Sequence, residues 1–284
     1  MLPEDTIQPH LQQQLTIATS DLPQPANPAR LRLQQRMESL HLCVVVPTYN
    51  NQKTLSSVLD NLLQYTSSII VVNDGSTDST HELLDSYKSR VDVVSYMPNH
   101  GKGYALKTGF NRAEALGYNG AITIDSDGQH VVSEIERFVE CAATYPHALL
   151  LGQRTTEGNM PSGSSFANKF SNFWFAVQTA YRFRDTQNGF RLYPLAAMSG
   201  LRPLTSRYEA ELEMLVRAAW KGIRIVPVPT HIYYLPEGER VTHFRPGKDF
   251  FRISLLNTIL TLLAVVYGYP SMFINRFFLK RSRS

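Results

Sequence analysis

Short apolar strands that alternate with helical segments dominate the chain from Leu42 onward. The runs LCVVVP, SIIVVND, VDVVSYM, GAITID and HALLLG are rich in β-branched residues and contain few polar ones. Four segments with helical apolar spacing separate them, at Leu55–Tyr65, Thr80–Tyr87, Ala105–Leu116 and Ile135–Ala143. Strands that are apolar throughout and alternate with helices indicate a parallel sheet covered on both faces. The predicted fold class is therefore α/β.

Polar residues gather where three of these predicted strands end. PTYN, NDGSTD and DSDGQH each follow an apolar run. The carboxyl ends of parallel strands lie on one rim of a sheet, and ligands of such sheets bind there. We therefore expect the three segments to form one site.

Two aspartates end the fourth run. Strand alternation turns Asp125 and Asp127 to the same side and Ser126 away from them. Two such close carboxylates repel each other unless a cation or protons lie between them. With the amide oxygen of Gln129 they form a candidate site for Mg²⁺ or Mn²⁺. The alternative is a turn that caps the next helix, and the triplet alone does not decide between them.

Further groups at the same predicted rim suit a nucleotide. Pro47 stiffens the first strand end, and Tyr49 offers a flat face for a base. Asp74 belongs either to the site or to a turn that caps the next helix. Glycines flank Lys102 just before a helix, an arrangement suited to a phosphate oxygen. Neither GxxxxGK[ST] nor GxGxxG after a strand is present, which argues against a dinucleotide oxidoreductase.

Together these motifs resemble family 2 glycosyltransferases with the GT-A fold, in the branch of the dolichyl-phosphate mannosyltransferases. VVVPTYNN, VVNDGSTDST, NHGKGYALKTGF, ITIDSDGQH and TQNGFRLYP occur in the family's order over about residues 42–235. The resemblance implies a Rossmann-like, mostly parallel sheet. It also implies an inverting, metal-dependent transfer of a sugar from a nucleoside-diphosphate sugar to a lipid acceptor. A non-catalytic nucleotide-sugar-binding subunit of a membrane complex is the alternative.

The resemblance assigns roles by position. Residues implied to bind the donor are Pro47, Tyr49, Asn51, Val72, Asp74, Lys102, Asp125 and Ser126. Asp127, implied to be catalytic, and Gln129 would ligate Mg or Mn. Cationic groups near the acceptor phosphate or the leaving diphosphate would be Arg154, Lys169 and Arg191. Many members read PTYNE, whereas this chain has Asn51 at the last position, which leaves the nucleotide open.

The helix YEAELEMLVRAAWKG supplies a candidate base. Glu211 matches the position of the base in relatives that use a hydroxyl acceptor. A hydroxyl must lose a proton to a carboxylate, whereas a lipid phosphate is already anionic and attacks unaided. Both a polyprenyl phosphate and a lipid hydroxyl therefore stay open as acceptors. Alternatively, Glu209, Glu211 and Glu213 face solvent on an amphipathic helix.

Three regions are predicted along the chain. Residues 1–40 are rich in Gln and Pro and form a largely irregular extension, with a short helix over Leu31–Leu40. Residues 41–235 form the glycosyltransferase domain. Residues 236–284 form a basic loop and a membrane-associating tail. The loop residues Arg240, His243 and Arg245 would receive an anionic lipid head or close over the diphosphate, or else would only meet anionic lipid.

The tail contains 22 uncharged residues, 253–274. It is long enough to span a membrane. It could equally form an interfacial helix broken near Gly268–Pro270, a buried helical hairpin, or a contact between subunits.

Charge and cysteine content restrict partners and location. The net charge is +4, while residues 237–284 carry eight basic and three acidic side chains, or +5, so the rest is nearly neutral. This distribution argues against a nucleic-acid partner and favours an anionic membrane surface. Two cysteines give no disulfide framework, and the polar N-terminus does not resemble a signal peptide. We expect a cytoplasmic protein, peripheral to the membrane or anchored in it.

Overall fold

A seven-stranded sheet forms the centre of the protein in a computed structural model, which describes residues 28–155, 162–201, 203–233 and 246–281. The strand order is β3-β2-β1-β4-β6-β5-β7. Strand β6 runs antiparallel to β4 and β5, and the other neighbouring pairs are parallel. The strands are β1 Leu42–Thr48, β2 Ile69–Asp74, β3 Asp92–Tyr96, β4 Gly120–Thr123, β5 Leu149–Arg154, β6 Arg191–Pro194 and β7 Ile225–Thr230. The predicted α/β fold with a mostly parallel sheet is confirmed.

Ten α-helices lie within the described residues. The four helices predicted between the first five strands are all present, as α2 to α5. The helices are α1 Pro28–Ser39, α2 Gln52–Leu63, α3 Thr80–Asp85, α4 Lys102–Ala115, α5 Ile135–Thr144, α6 Ser162–Thr179, α7 Leu195–Met198, α8 Glu209–Trp220, α9 Pro246–Leu263 and α10 Tyr269–Arg281. A π-helical turn, Ala264–Gly268, joins α9 to α10.

The sheet separates two apolar layers. Alternate residues of β1 point to opposite faces, so Val44 and Val46 join one layer while Cys43 and Val45 join the other. Helices α1, α2, α3 and α5 cover the first layer, and α4, α6, α8 and α9 cover the second. Burial on both faces explains why these strands lack polar alternation.

The strand order reverses its direction between β1 and β4. The chain adds β2 and β3 on one side of β1 and the remaining strands on the other. A crevice forms at such a switch point, beyond the carboxyl ends of the strands. Tyr49 follows β1 there and Asp125 follows β4, so the topology brings together the segments expected to share a site.

Prolines mark the outer edge of the sheet. Pro227 and Pro229 lie in β7, which pairs with β5 and forms the edge of the sheet within the described residues. A proline has no N–H to donate to a ladder, so a central position would leave a carbonyl unpaired.

The two ends of the described chain are helical. Helix α1 starts at Pro28, three residues before the predicted helix, and buries Met37 against the core; residues 1–27 lie outside the described residues. At the other end, Phe251–Phe277 forms one helix. The alternative of a break near Gly268–Pro270 is wrong, because the π-helical turn just before Pro270 lets the helix continue.

Candidate active site

A buried lysine bridges two carboxylates at the switch point. Lys102 is the first residue of α4, and its Nζ lies 2.7 Å from Asp125 Oδ1 and 2.8 Å from Glu211 Oε2. Asp125 follows β4, and Glu211 lies in the first turn of α8. Three distant segments of the chain therefore meet in one ionic cluster, which we call the Lys102 triad (Lys102, Asp125 and Glu211).

Burial and charge act against each other in this triad. Burial favours the neutral amine, but the carboxylates of Asp125 and Glu211 outweigh it and raise the pKa of Lys102. Burial also works against the Asp125 anion, but Lys102 and His130 outweigh it, so the Asp125 pKa lies well below its usual range. Lys102 and Asp125 therefore stay charged at neutral pH.

The motif TQNGF supplies the wall of the triad. A Cβ on Gly189 would lie 2.7 Å from Asp125 Oδ2 and 3.1 Å from Lys102 Nζ. A side chain at this position would therefore collide with the ion pair. Gly189 is also tied to β4, because its carbonyl accepts a 2.7 Å hydrogen bond from the Thr123 hydroxyl.

Asp127 lies beside the triad without a cationic partner among the described residues. Its Oδ1 accepts a 3.0 Å hydrogen bond from the Gln129 amide. The Gln129 carbonyl in turn accepts the Tyr233 amide at 2.9 Å. Burial, together with the nearby Asp125 charge, raises the pKa of Asp127. An added cation would relieve this electrostatic cost.

These residues fit a divalent cation that is shared with a substrate. The described residues contain no group of three or more His, Cys, Asp or Glu that could hold a metal alone. Mg²⁺ commonly uses one or two carboxylates and completes its shell with water and substrate phosphates. The free oxygen of Asp127 and the Gln129 side chain suit that arrangement.

The loops after β1 and β4 are joined by side-chain hydrogen bonds. Asn51 is buried and donates from Nδ2 to Ser126 Oγ at 2.9 Å. The Thr54 hydroxyl donates to the Ser126 carbonyl at 2.7 Å. Ser126 is itself buried. Asn51 thus fixes the position of the acidic loop after β4. A carboxylate in place of Asn51 could not donate this hydrogen bond.

Three comparisons with known proteins bear on this site. The model of glycosyl transferase family 2 matches residues 43–202, which hold β1 to β6 and the acidic loop. The chain belongs to glycosyl transferase family 2. The resemblance inferred from the motifs is confirmed, and so is the prediction of an enzyme over a non-catalytic subunit.

Relatives of this family 2 glycosyltransferase match over most of its length. A UDP-N-acetylglucosamine–dolichyl-phosphate N-acetylglucosaminyltransferase of Methanococcus voltae is 27% identical, over 75% of this chain and 94% of its own. An uncharacterized protein of Methanocaldococcus jannaschii is 32% identical, over 67% and 81%. An undecaprenyl-phosphate mannosyltransferase of Micrococcus luteus is 26% identical, over 67% and 82%.

Among solved structures, glucosyl-3-phosphoglycerate synthase from Mycobacterium tuberculosis shares the fold. Its complex with Mn²⁺, UDP-glucose and phosphoglyceric acid superposes with a TM-score of 0.58 at 18% identity, covering 85% of each chain. The GT-A fold class is confirmed.

In this family 2 enzyme, Asp74 anchors a loop of its own chain. Its carboxylate accepts hydrogen bonds of 2.8 Å from Asn99 Nδ2 and from the amides of His100 and Gly101. This contact fixes the residues just before Lys102. A role for Asp74 at the nucleotide base stays a prediction.

The other residues predicted to bind the base differ in exposure. Tyr49 is half-buried at the rim, while Pro47 is buried in β1. Val72 is fully buried, and its side chain packs in the core beside Val45. Contact between the Val72 side chain and a base is therefore not available in this structure, and only its backbone lies at the strand end.

The three glutamates of α8 are buried, so the alternative that they face solvent is wrong. Glu209 and Glu211 are each 7% exposed and Glu213 is 0% exposed. Glu213 accepts bonds from the Leu204 and Thr205 amides and pairs with Arg217. Both the apolar and the acidic residues of α8 are buried, because the helix lies between the sheet and the C-terminal helix.

Arg191 is enclosed in the structure. Its side chain is fully buried and donates to the carbonyls of Asn188, Thr186 and Glu211 at 2.7, 2.9 and 2.8 Å. Every nitrogen of the guanidinium has a protein partner, since Tyr193 Oη is the fourth acceptor. Direct contact of Arg191 with a phosphate is contradicted by this burial, and its role here is to join the NGF loop to α8.

Arg154 lines a cavity near the rim of the sheet. The guanidinium pairs with the buried carboxylate of Asp185. The cavity, of about 450 Å³, opens at the ends of β5 and β7. Its lining consists of Gln153, Arg154, Thr155, Arg184, Pro227 and Pro229. Lys169 lies exposed on α6, and Arg240, His243 and Arg245 lie outside the described residues.

Two contributors were not predicted from the sequence. His130 is buried against Phe190, and its Nε2 lies 3.7 Å from Asp125 Oδ2. Its position directly after Gln129 was the available signal. Arg184, which lines the cavity, lies outside the motifs that the sequence offers.

Proposed function

We propose that this family 2 enzyme transfers a sugar from a nucleoside-diphosphate sugar to a polyprenyl-phosphate-type lipid, with inversion and with a divalent cation. The observation that carries the proposal is Asp127, a half-buried carboxylate without a cationic partner among the described residues, beside the charged Lys102 triad. Such a site is prepared for a cation that arrives with a diphosphate.

The cation would be held by Asp127 and Gln129 together with the donor's phosphates. Bound Mg²⁺ or Mn²⁺ would offset the charge that develops on the diphosphate as the bond to the sugar breaks. Use of Mn²⁺ by a protein of the same fold, glucosyl-3-phosphoglycerate synthase, supports this proposal.

The state of Glu211 favours a phosphate acceptor over a hydroxyl. One oxygen of Glu211 lies 2.8 Å from the Lys102 ammonium. Taking up a proton would weaken that ion pair, so Glu211 is poorly suited to be a base. A lipid phosphate needs no base, because its oxygen already carries the negative charge. The relatives named for dolichyl-phosphate and undecaprenyl-phosphate support the same acceptor class.

The transfer is one displacement. A phosphate oxygen of the acceptor forms a bond to the anomeric carbon while the bond from that carbon to the donor diphosphate breaks. The nucleoside diphosphate leaves with the electron pair, and no proton has to move. We place the acceptor phosphate at the cavity of Arg154 and Arg184, where two guanidiniums and the Thr155 hydroxyl are within the lining.

A transfer assay tests this function. Nucleotide sugars with UDP, GDP and dTDP are each combined with a short-chain polyprenyl phosphate or the matching alcohol, with and without Mn²⁺. We expect sugar transfer to the phosphate only, and only with metal. The Asp127→Ala variant should lose at least 100-fold in kcat, whereas Asp78→Ala, an aspartate in the neighbouring turn, should keep most of it. Transfer by Asp127→Ala at the wild-type rate would refute the proposal.

A further inference from the structure

The outer face of the C-terminal helix is apolar over its described length. Phe251–Phe277 is one helix of 27 residues, about 40 Å long. Six of its exposed large apolar side chains follow one another at spacings of four and seven residues, so they share one face. Val266 and Phe273 are each 74% exposed. The outer stripe consists of Phe251, Leu255, Leu262, Val266, Phe273 and Phe277.

The inner face of the same helix belongs to the enzyme. Leu256, Leu260 and Ala264 are buried against α6 and α8. A Cβ on Gly268 would lie 2.5 Å from the Trp220 indole, so the absence of a side chain allows close approach. The helix is therefore part of the folded domain along one side, while the apolar side chains of the outer stripe are exposed along the other.

Hydrogen bonds hold the helix to the domain at two separated points. Gln178 Nε2 donates to Asn257 Oδ1 at 3.1 Å near its start. Ser271 Oγ and Asn275 Nδ2 both donate to the Trp220 carbonyl, at 3.0 and 3.2 Å. A membrane span needs about 20 consecutive residues inside the hydrocarbon core. Residues 257 to 271 are fixed to α6 and α8, so a span would pull polar parts of the domain into lipid or break these bonds.

Charge decides between a lipid and a second copy as the partner of the outer stripe. Residues 250–284 contain five basic residues and no Asp or Glu. An antiparallel pairing of two such helices would bring Arg252 of one copy near Arg276 of the other. Like charges repel there, whereas anionic headgroups attract both ends.

We propose that the outer stripe lies in the headgroup region of an anionic bilayer, with the helix parallel to the membrane plane and not across it. The exposed apolar stripe does not depend on the proposed function. Its assignment to a membrane, and not to another apolar surface, rests on the proposed lipid acceptor. Helix α6 adds to the same surface, since Phe166 and Phe173 are exposed beside the packed tail. Both helices cover the sheet face on which Pro227 and Pro229 line the cavity.

Vesicle flotation of the full chain tests the surface. We expect wild type to float with vesicles of phosphatidylcholine and phosphatidylglycerol. The variant Leu262→Ser/Val266→Ser/Phe273→Ser should lose at least tenfold in partition. Its matched control, Leu31→Ser/Leu116→Ser/Leu204→Ser, removes exposed apolar side chains elsewhere and should bind like wild type. Unchanged flotation of the stripe variant would overturn the proposal, as would equal binding of wild type to pure phosphatidylcholine.

A protease experiment tests the orientation. Full-length protein with a C-terminal epitope tag is added to preformed vesicles, and protease is then applied outside. A helix in the membrane plane leaves the tag fully cleavable, whereas a spanning helix protects it and overturns the proposal. Loss of a dimer in the stripe variant, with no vesicle binding by wild type, would assign the surface to a second copy instead.

The two proposals fail separately. Transfer to a short-chain, water-soluble acceptor should be the same in wild type and in the stripe variant if the tail only docks the enzyme. Absence of transfer in both proteins, with normal flotation of wild type, would refute the proposed function and leave the membrane surface intact.

Discussion

Lys102 and Glu211 lie in the first turns of two different helices, and their side chains meet at 2.8 Å. The second carboxylate oxygen of Glu211 is buried and has no hydrogen-bond partner within the described residues. The main chain of the same residue is also held, because its carbonyl accepts Arg191 Nη1 at 2.8 Å. The position of Glu211 is thus fixed through both its side chain and its main chain.

Replacement of Glu211 distinguishes a structural anion from a base. Glu211→Gln keeps the shape and one hydrogen bond to Lys102, so we expect kcat within about tenfold of wild type. A general base contributes 10²–10⁴-fold, as an order of magnitude. A loss of that size, measured with a polyprenol acceptor, would reassign the enzyme to hydroxyl chemistry. Glu209→Gln serves as the control, because Glu209 is equally buried on the same helix.

Gly189 is expected to tolerate no side chain. In Gly189→Ala the new methyl would meet Asp125 and Lys102 and displace their ion pair. We expect a decrease of kcat/KM for the nucleotide sugar of at least 100-fold, on the order of 3 kcal/mol. Gly109→Ala is the matched control, since its methyl meets only Val45 and Val72 in the core. That control should lower the melting temperature while KM for the donor is unchanged.

Arg191 should act on stability more than on acceptor binding. Arg191→Met leaves the carbonyls of Thr186, Asn188 and Glu211 without their donor. Each unsatisfied buried group costs about 1–3 kcal/mol, so chemical denaturation should show a large loss. Lys169→Met, at an exposed position, should leave the unfolding midpoint unchanged. An Arg191 variant of normal stability with a raised KM for acceptor would contradict this assignment.

The triad gives a pH dependence with a defined sign. Because the pKa of Asp125 is lowered in the fold, its ion pair stabilises the protein above the ordinary carboxyl pKa of about 4 and is lost on further acidification. The raised pKa of Lys102 extends its contribution upward past pH of about 10. Asp127 has the opposite sign, since its raised pKa makes protonation favourable.

Removal of the Lys102 ammonium should reverse the pH dependence that Asp125 contributes to stability. In Lys102→Met, the largest charge that favours the Asp125 anion is lost, and burial, which disfavours that anion, is opposed mainly by His130. Denaturant midpoints of wild type should be nearly constant from pH 7 to about 5, whereas those of the variant should rise on acidification over the same range. A variant that follows the wild-type curve would show that Lys102 does not control the Asp125 charge.

Much of the fold was accessible from the sequence because its signals are local. Five of the seven strands are apolar runs with β-branched residues, and the helices between them carry clear spacing. The antiparallel strand β6 was not predicted. Its four residues, Arg191–Pro194, are too short and too polar at the start to stand out. Only the pairing with β4 and β5 makes them a strand.

The motifs name candidate residues, but the contacts among them could not be predicted. The motifs identify Lys102, Asp125 and Glu211, yet nothing in their separation along the chain indicates one ionic cluster. The sequence predicts a diphosphate contact for Lys102, because an ammonium group between glycines suits a phosphate oxygen. In the folded chain, the Lys102 ammonium is paired with the carboxylates of Asp125 and Glu211. The interior position of Arg191 was equally hidden, since charge alone argues for exposure.

The length of helix α8 sets how far the candidate site lies from the C-terminal helix. Glu211 lies in the first turn of α8, and Trp220, whose carbonyl accepts a hydrogen bond from Ser271 of the tail, is its last residue. Nine residues of α-helix separate them, a rise of about 14 Å. Helix α8 thus fixes the distance between the Lys102 triad and the C-terminal helix that we propose to contact lipid. Lengthening it by one turn would lift the transfer centre away from any acceptor whose tail stays anchored in the bilayer.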